Sequence, residues 1–299
     1  MGFTYFILTG SIMTLPLVTI SIPTYNSSKF LQLCLSAIEN QTYKNIEINI
    51  IDGNSKDNTL DIARQCGVTE VRVCGGGLLQ ARYEGIKLAR GDYVLLLDSD
   101  QILAPDTVGR SIRWMEDRAL DMLVLEEDVY RCENFIEKLF QCDRRLVHAV
   151  KDLDPYTSVL LPRVFRKNLL IDLFRNIPEF LIPKVGGPDH AMIYFEAWKI
   201  SQKIDMLPKA VKHIEPNSLR VMIPKFYRWG YTSVDAHYEQ YDELLNRKER
   251  FRKGLFSKGQ IKDSLGSILL LLIKGVPYKT GYYVGKMRKL FSRADTNNK

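Results

Sequence analysis

Short apolar runs alternate with amphipathic stretches through the first third of the chain. The apolar runs are rich in valine, isoleucine and leucine and predict strands at Val18–Ile22, Ile46–Ile51, Val71–Cys74 and Tyr93–Leu97. Between them, apolar side chains recur every three or four residues, which predicts helices over residues 28–38, 58–63 and 79–89. Strands and helices that alternate with short connections predict a parallel, doubly wound α/β sheet with right-handed crossovers.

The pattern becomes less regular after Pro105. The elements predicted next are a helix at Thr107–Met115, a strand at Met122–Leu125, a helix at Phe135–Val150, one or two short strands within Tyr156–Phe165 and a helix at Ala191–Ile200. A charged helix is then expected over Ala236–Lys253, followed by an apolar patch, Ile268–Ile273, that Lys274, Gly275 and Pro277 interrupt. We therefore expect a main domain over residues 14–225, with halves 14–120 and 121–225, and a basic helical tail over residues 226–299.

The basic charge is concentrated in the tail. The net charge is +7, and from Lys225 onward 16 Lys and Arg residues stand against 7 Asp and Glu, so the preceding part is slightly acidic. A nucleic-acid-binding enzyme carries its basic surface around its site, so this distribution argues against nucleic acid as a partner. The five cysteines are scattered without a CxxC pair. They indicate neither a zinc knuckle nor a disulfide framework and favour a reducing, cytosolic setting.

Two carboxylates follow directly after the most apolar strand, in Asp98-Ser99-Asp100. The run Val94–Leu97 predicts a strand buried on both faces, and ligands bind at the carboxyl ends of such strands. Burial of two neighbouring carboxylates is unfavourable unless a cation lies between them and an anion. Mg²⁺ or Mn²⁺ bridging to a diphosphate fits, because hard cations prefer oxygen ligands. The alternative is a solvated Asp-Ser-Asp turn that ends the strand.

Polar side chains also end the first two strands. Thr24 and Asn26 follow the first strand, and Asp52 follows the second. Because the carboxyl ends of parallel strands meet at one edge, we expect these residues to converge with Asp98 on one cleft. Taken alone, Asp52 is also explained by an Asx turn before a helix. Gly75-Gly76-Gly77 opens a helix too, but it lacks the phosphate-binding spacings GxGxxG and GxxxxGK and favours a plain loop.

Taken together, these segments resemble family 2 glycosyltransferases, which have the GT-A fold. The resemblance rests on Ser21–Asn26, Ile51–Thr59, Ala81-Arg82 with Gly85, and Ala89–Asp100, which occur in the family's order and spacing. It is close over Val18–Leu103 and weaker as far as Gly230. It implies an α/β fold of the GT-A type, with a doubly wound mixed sheet and a C-terminal helical extension. Residues 14–120 would form the nucleotide-sugar-binding half, and residues 121–225 would form the acceptor half.

The resemblance also implies roles for the residues that match the family's motifs. Those implied to bind the nucleotide sugar are Pro23, Thr24, Tyr25, Asn26, Asp52, Arg82, Asp98, Ser99 and Asp100. Of these, Thr24-Tyr25 would border the base and Asp52 would bond it. Asp98 would lie near the ribose, and Arg82 would lie near the phosphates or organise the loop. Asp100 would hold Mg²⁺ or Mn²⁺ on the diphosphate.

Asp189 ends a second polar cluster, Gly186-Gly187-Pro188-Asp189-His190, just before the predicted helix. In similar enzymes an acid at the head of such a helix is the general base that takes the proton from the acceptor hydroxyl. The resemblance implies this role for Asp189, with Glu179 as the second choice; the alternative for Asp189 is a helix cap. His213 resembles the histidine that follows this helix in related enzymes and supplies a further metal ligand or contacts the diphosphate. A lone histidine also fits a structural role.

The segment Lys225-Phe226-Tyr227-Arg228-Trp229 is similar to the QxxRW motif of processive synthases, with Lys in place of Gln. Lys225 and Arg228 are otherwise candidates for binding an acceptor or lipid phosphate. The tail from Gly254 to Arg293 interleaves short apolar pieces with basic and aromatic residues, which favours attachment to an anionic membrane surface. The apolar pieces of this tail are too short to predict a transmembrane helix. The alternative is a helical hairpin packed on the catalytic domain.

These expectations describe an inverting, metal-dependent glycosyltransferase at the cytoplasmic face of the cell membrane, attached peripherally or as a monotopic protein. Its expected partners are a UDP- or GDP-type sugar, a lipid-linked or glycan acceptor and an anionic membrane surface. A polyprenyl- or dolichyl-phosphate-linked acceptor is favoured, and a soluble or protein-linked glycan is the alternative. From another class, a non-catalytic nucleotide-sugar-binding membrane subunit stays open. A sugar-phosphate nucleotidyltransferase is disfavoured, because its Gly-rich basic loop is replaced by Pro23–Asn26.

Overall fold

The structure, a computed structural model, describes residues 15–150, 152–250 and 261–297. Within them the strands form one eight-stranded sheet. The strands are β1 (Val18–Thr24), β2 (Ile46–Asp52), β3 (Glu70–Val73), β4 (Tyr93–Leu96), β5 (Gln101–Leu103), β6 (Met122–Val129), β7 (Pro162–Arg166) and β8 (Ile204–His213). The helices are α1 (Ser28–Glu39), α2 (Thr59–Gln65), α3 (Leu78–Leu88), α4 (Thr107–Asp117), α5 (Phe135–Val150), α6 (Lys167–Phe174), α7 (Asp189–Ile200), α8 (Leu219–Ser233), α9 (Glu239–Arg250) and α10 (Ile261–Asn297).

The strands lie in the order β3-β2-β1-β4-β7-β6-β8-β5. The first four pair in parallel, and Thr24 lies opposite Asp52 in the register of β1 and β2. Strands β7 and β5 are antiparallel to their neighbours, whereas β6 and β8 are parallel to each other. The sheet is therefore mixed, as the resemblance implies. The parallel arrangement predicted from the strand–helix alternation before Pro105 is confirmed by β1 to β4. The sheet becomes mixed where β7 enters beside β4 from the opposite direction.

Apolar residues of β4 alternate between two cores, one on each face of the sheet. Tyr93 and Leu95, together with Leu97 just after the strand, pack with the buried face of α1, whereas Val94 and Leu96 pack with α3, α6 and α7. Successive side chains of a strand point to opposite faces, so an uninterrupted apolar run is what a strand covered on both sides requires. The doubly wound α/β prediction is confirmed, and the turn after β4 lies between the two helical layers.

The C-terminal helices form a layer beside the second half of the sheet, where α10 packs on α8 and α5. Lys274, Gly275 and Pro277, which interrupt the apolar patch in the sequence, lie inside α10, and the helix continues through all three. The predicted boundary between residues 225 and 226 falls inside α8, which is a single helix. Residues 14 and 151 of the predicted main domain and residues 251–260, 298 and 299 of the predicted tail lie outside the described residues. In the described part of the chain, no helix combines the length and apolar character that crossing a bilayer demands.

Candidate active site

The turn Asp98–Asp100 joins β4 to β5 and is fixed by the side chain of Gln101. The backbone N–H of Asp98 donates to Gln101 Oε1 at 2.9 Å, and Gln101 Nε2 donates to Glu127 Oε1 at 2.8 Å. Ser99 Oγ donates to Ser27 Oγ at 3.0 Å. The turn is therefore held by the residue that precedes α1, by β5 and by β6, whereas a solvated turn would make its hydrogen bonds to water.

Asp98 lies between two arginines. Arg82 Nη2 is 2.6 Å from Asp98 Oδ1, and Arg163 Nη1 is 2.8 Å from Asp98 Oδ2. Burial alone would raise the pKa of Asp98, but the Arg163 and Arg82 guanidiniums outweigh it and hold that pKa well below its ordinary value. Asp98 is therefore a permanent carboxylate that fixes the positions of both guanidiniums.

Arg82 connects Asp98 to Asp189, the residue predicted as the general base. Its Nε donates to Asp189 Oδ2 at 2.5 Å, and both side chains are closed to solvent. Asp189 is the first residue of α7, so Pro188 and the preceding glycines set the direction from which it enters the cluster. Burial raises the pKa of Asp189 more than Arg82 lowers it, which strengthens this carboxylate as a proton acceptor. Glu179, the second choice, is exposed and takes no part in these contacts.

Asp100 lies beside two basic side chains. His213 Nε2 is 3.5 Å from Asp100 Oδ1, and Lys225 Nζ is 3.5 Å from Asp100 Oδ2. The pairing of β5 with β8 brings the histidine there, since Gln101 lies opposite His213 and the N–H of Ile214 donates to Asp100 O at 2.8 Å. Burial lowers the pKa of His213, but Glu215 and Asp100 more than compensate and raise it.

Asp100 and His213 form a donor set that fits a divalent cation. Mg²⁺ is commonly held by one or two carboxylates together with substrate phosphates, and Mn²⁺ accepts both carboxylate and imidazole. A group of three His, Cys, Asp or Glu residues with metal-binding geometry is not found among the described residues. The protein thus offers part of a coordination shell at Asp100, and a diphosphate would have to complete it.

The ends of β1 and β2 lie at the same edge of the sheet as the turn after β4. Asp52 is fully buried and accepts hydrogen bonds from Thr24 Oγ1 at 2.8 Å and from the N–H of Ser55 at 2.7 Å. Asn26 has a positive φ of 50° and accepts from the N–H of Lys56 at 2.8 Å. Tyr25 is exposed, and Pro23 is paired within β1. The carboxylate of Asp52 holds the loop that follows β2 through these hydrogen bonds. Its hydrogen bond to the base of a nucleotide stays a prediction.

A buried chain of charges that sequence analysis missed links Asp98 to His213. Arg163 Nη2 lies 3.3 Å from Glu127 Oε1, Glu127 Oε2 accepts from Arg144 at 2.5 Å, and Arg144 lies 2.6 Å from Glu215 Oε1. That same oxygen is 3.3 Å from His213 Nδ1. The sequence did contain a signal for two of these residues, because each is a charged residue in or beside an apolar run. Arg163 lies within Leu160–Phe165, and Glu127 lies shortly after Leu123–Leu125.

Helix α8 passes from Asp100 to the loop that precedes Asp189. At one end of this path, Lys225 of α8 lies beside Asp100. At the other end, Thr232 of α8 packs on the loop, since a Cβ added to Gly186 would lie 3.1 Å from Thr232 Oγ1. A Cβ at Gly187 would lie 3.4 Å from the carbonyl oxygen of Trp229. Arg228, between these contacts, is exposed. The structure therefore brings Lys225 to the turn after β4, whereas Arg228 lies on the outer side of the cluster.

The comparisons with known proteins agree with this geometry. The family model described as "Glycosyl transferase family 2" matches residues 19–174, slightly more than half of the chain. The chain belongs to glycosyltransferase family 2. This glycosyltransferase is 33% identical over 221 residues to an uncharacterised glycosyltransferase of Haemophilus influenzae, covering 72% of this chain and 85% of that protein. It is 32% identical to glycosyltransferase GlyG of Streptococcus pneumoniae over 36% of its own length, and the match spans 38% of GlyG.

Solved structures show the same GT-A fold. The glycosyltransferase chain matches Staphylococcus aureus TarS 1–349 in complex with UDP-GlcNAc with a TM-score of 0.54 and 16% identity, over 92% of each chain. It matches the mannosyltransferase PcManGT of Pyrobaculum calidifontis, in complex with GDP-Man and Mn²⁺, with a TM-score of 0.54 and 18% identity. That match covers 94% of this chain and 82% of PcManGT. At these identities the likeness establishes the fold.

Proposed function

We propose that this chain transfers a glycosyl group from a nucleoside-diphosphate sugar to an acceptor hydroxyl, with inversion at the anomeric carbon. The observation that carries the proposal is the bridge formed by Arg82, which holds Asp98 through one nitrogen and Asp189 through another. Asp98 belongs to the turn that also carries Asp100, so the bridge joins the proposed diphosphate-binding turn to a candidate base. The UDP-GlcNAc and GDP-Man complexes of proteins with this fold support a UDP- or GDP-type donor.

In this reaction Asp189 takes the proton from the acceptor hydroxyl as the hydroxyl oxygen bonds to the anomeric carbon. The bond between that carbon and the diphosphate oxygen breaks, and the nucleoside diphosphate leaves with its electron pair. Mg²⁺ or Mn²⁺ held by Asp100 and His213 would supply stabilisation of the charge that develops on the diphosphate. Lys225, beside Asp100, adds positive charge at the same position.

For the acceptor we propose a lipid-phosphate-linked molecule. Helix α8 supports this, because it presents exposed apolar side chains on the same helix as Lys225 and Arg228; these are Leu219, Val221, Ile223, Tyr227 and Trp229. Apolar surface next to cationic side chains suits a molecule with a hydrocarbon chain and a phosphate. The proposed location is the cytoplasmic face of the cell membrane.

The test is a panel of UDP- and GDP-sugars with Mn²⁺, read first by thermal shift and then by release of nucleoside diphosphate. We expect one donor to raise the melting temperature and to be hydrolysed slowly without acceptor. Asp100→Ala should abolish both effects, whereas Asp61→Ala, which removes an exposed carboxylate on α2, should change neither. If no nucleotide sugar shifts the melting temperature and none is cleaved, the proposed reaction is wrong. Transfer to a hydroxyl of a sugar carried on a short-chain polyprenyl phosphate, but not to the same sugar free in solution, is expected for the acceptor.

A further inference from the structure

Helix α10 has two faces of opposite character. The inner face is buried against α5 and α8 and includes Ser267, Leu270 and Gly281. On the outer face, large apolar side chains recur mostly every three or four residues, so they form one stripe along the helix. The exposed members of this stripe are Ile261, Leu265, Leu269, Leu272, Val276, Tyr283, Met287, Leu290 and Phe291. At 1.5 Å per residue the stripe is about 45 Å long. We call it the outer stripe.

The charged side chains on this face are basic. Among the described side chains of α10, the exposed charged residues are Lys262, Lys279 and Lys286. The acid Asp263 is only partly exposed and lies 3.4 Å from Arg145 of α5. Other basic residues turn toward the domain, as Arg288 does in pairing with Asp235 at 2.7 Å. The outer stripe is therefore apolar with lysines along it, and among the described side chains of α10 none of the exposed residues is an acid.

We propose that the outer stripe docks flat on an anionic lipid surface, with α10 parallel to the membrane plane. An interfacial helix presents apolar residues to the acyl boundary and lysines to anionic headgroups, and this is the composition of the stripe. A flat orientation agrees with the absence, among the described helices, of one that could cross a bilayer. A second copy of the chain packed through the same face fits less well, because it would bring the same lysines together and the described exposed side chains of α10 include no acid to pair with them.

The packing of α10 on α8 gives this docking a functional consequence. A Cβ added to Gly230 would lie 1.9 Å from the carbonyl oxygen of Tyr278, so the two helices touch through their backbones. Helix α8 also carries Lys225 at Asp100. A docked α10 would therefore hold the candidate active site one helix layer from the lipid, on the order of 10 Å. The docking itself does not rest on the proposed reaction, because lipid binding can be measured without any donor.

The experiment is flotation of the full chain with phosphatidylcholine vesicles and with vesicles that contain phosphatidylglycerol as well. We expect flotation with the anionic vesicles, weakened by salt, and little with phosphatidylcholine alone. Leu272→Glu combined with Val276→Glu should abolish it. Lys279→Gln combined with Lys286→Gln should weaken it about five-fold per lysine. The matched control is Leu33→Glu combined with Val73→Glu, which adds the same charge at exposed apolar positions on α1 and β3 and should float like the parent chain.

The results of this experiment distinguish lipid from a second copy of the chain as the partner of the outer stripe. Thermal unfolding of each variant checks that the exposed substitutions leave the fold intact. The proposal is overturned if the full chain fails to float, if it floats equally with both vesicle types, or if the control variant loses flotation to the same extent. It is also overturned if light scattering shows a stable dimer that Leu272→Glu with Val276→Glu dissociates while lipid binding is absent. Loss of flotation with donor cleavage retained would leave the proposed reaction standing.

Discussion

Arg82 and Asp189 form an ion pair that is almost fully closed to solvent, with side chains 1% and 3% exposed and Nε 2.5 Å from Oδ2. The same guanidinium reaches Asp98 at 2.6 Å, so one side chain fixes the spacing between the turn after β4 and the start of α7. Lysine has one nitrogen at its tip and cannot replace a planar fork that bridges two carboxylates. Arg82 is therefore a structural requirement of the site as well as a neighbour of the proposed diphosphate position.

Replacing Arg82 by alanine should destabilise the fold strongly. The change leaves Asp189 buried without its cation, and breaking a buried pair in this way costs about 3–5 kcal/mol. Urea unfolding at neutral pH measures the effect. The control is Arg64→Ala, because Arg64 pairs with Asp61 on the exposed surface of α2 and should contribute less than about 1 kcal/mol. Equal stability of the two variants would contradict the role assigned to Arg82.

The raised pKa of Asp189 predicts the acid limb of the pH–rate profile. A general base acts in its deprotonated form, so activity is present above its pKa and is lost as the pH falls through it. Because burial raises this pKa, the limb should lie above the ordinary aspartate value of about 3.9. Asp189→Asn should lower kcat/KM about 10²- to 10⁴-fold and remove the acid limb from the plot of kcat/KM against pH. Glu179→Gln should leave the profile unchanged; full activity in Asp189→Asn would show that the base is another group.

His213 and Lys225 lie at the same distance from Asp100, but different functions are expected for them. If His213 is a metal ligand, His213→Ala should raise the Mn²⁺ concentration needed for donor binding at least about ten-fold. Lys225→Met should leave the Mn²⁺ requirement unchanged and raise the KM for the donor, because its charge would act on the diphosphate. Titration of donor binding against Mn²⁺ separates the two. Equal Mn²⁺ requirements in both variants would remove His213 from the metal site.

The charge chain that ends at Glu215 should make the protein sensitive to acid. Burial raises the pKa of Glu215, but His213 and Arg144 outweigh it and hold it below the ordinary glutamate value. A lowered pKa means that the stabilisation is present above the unfolded-state value of about 4.3 and is lost as the pH falls through the folded-state value. Glu215→Gln should therefore cost about 1–3 kcal/mol at pH 7, and the difference should shrink below about pH 4. A difference that persists unchanged in acid would contradict this account.

The sequence predicted the part of the candidate site that lies at the carboxyl ends of the parallel strands. Thr24 and Asp52 end β1 and β2, and Asp98 follows shortly after β4. Parallel strands in short βα units end at one edge, so the position of these residues at that edge did not depend on distant contacts. Arg163 escaped prediction because β7 is antiparallel and returns from far along the chain to lie beside β4. Lys225 was predicted as a candidate for an acceptor or lipid phosphate, but its place beside Asp100 was not, because that place depends on how α8 packs against α10. Such packing between helices is set by shape, which hydrophobic periodicity does not encode.

That seating is open to a direct test at two glycines of α10. A Cβ added to Gly281 would lie 2.0 Å from the carbonyl oxygen of Tyr227 on α8, whereas one added to Gly275 meets nothing within 4 Å. Gly281→Ala must push the helices apart and should destabilise the protein by about 1–3 kcal/mol. Gly275→Ala should stabilise it by about 0.5–1 kcal/mol, because alanine is the better helix former. Differential scanning calorimetry measures both changes. Because α8 carries Lys225, Gly281→Ala should also raise the KM for the donor, and Gly275→Ala should not. Equal effects from the two variants would mean that α10 does not position α8 at the site.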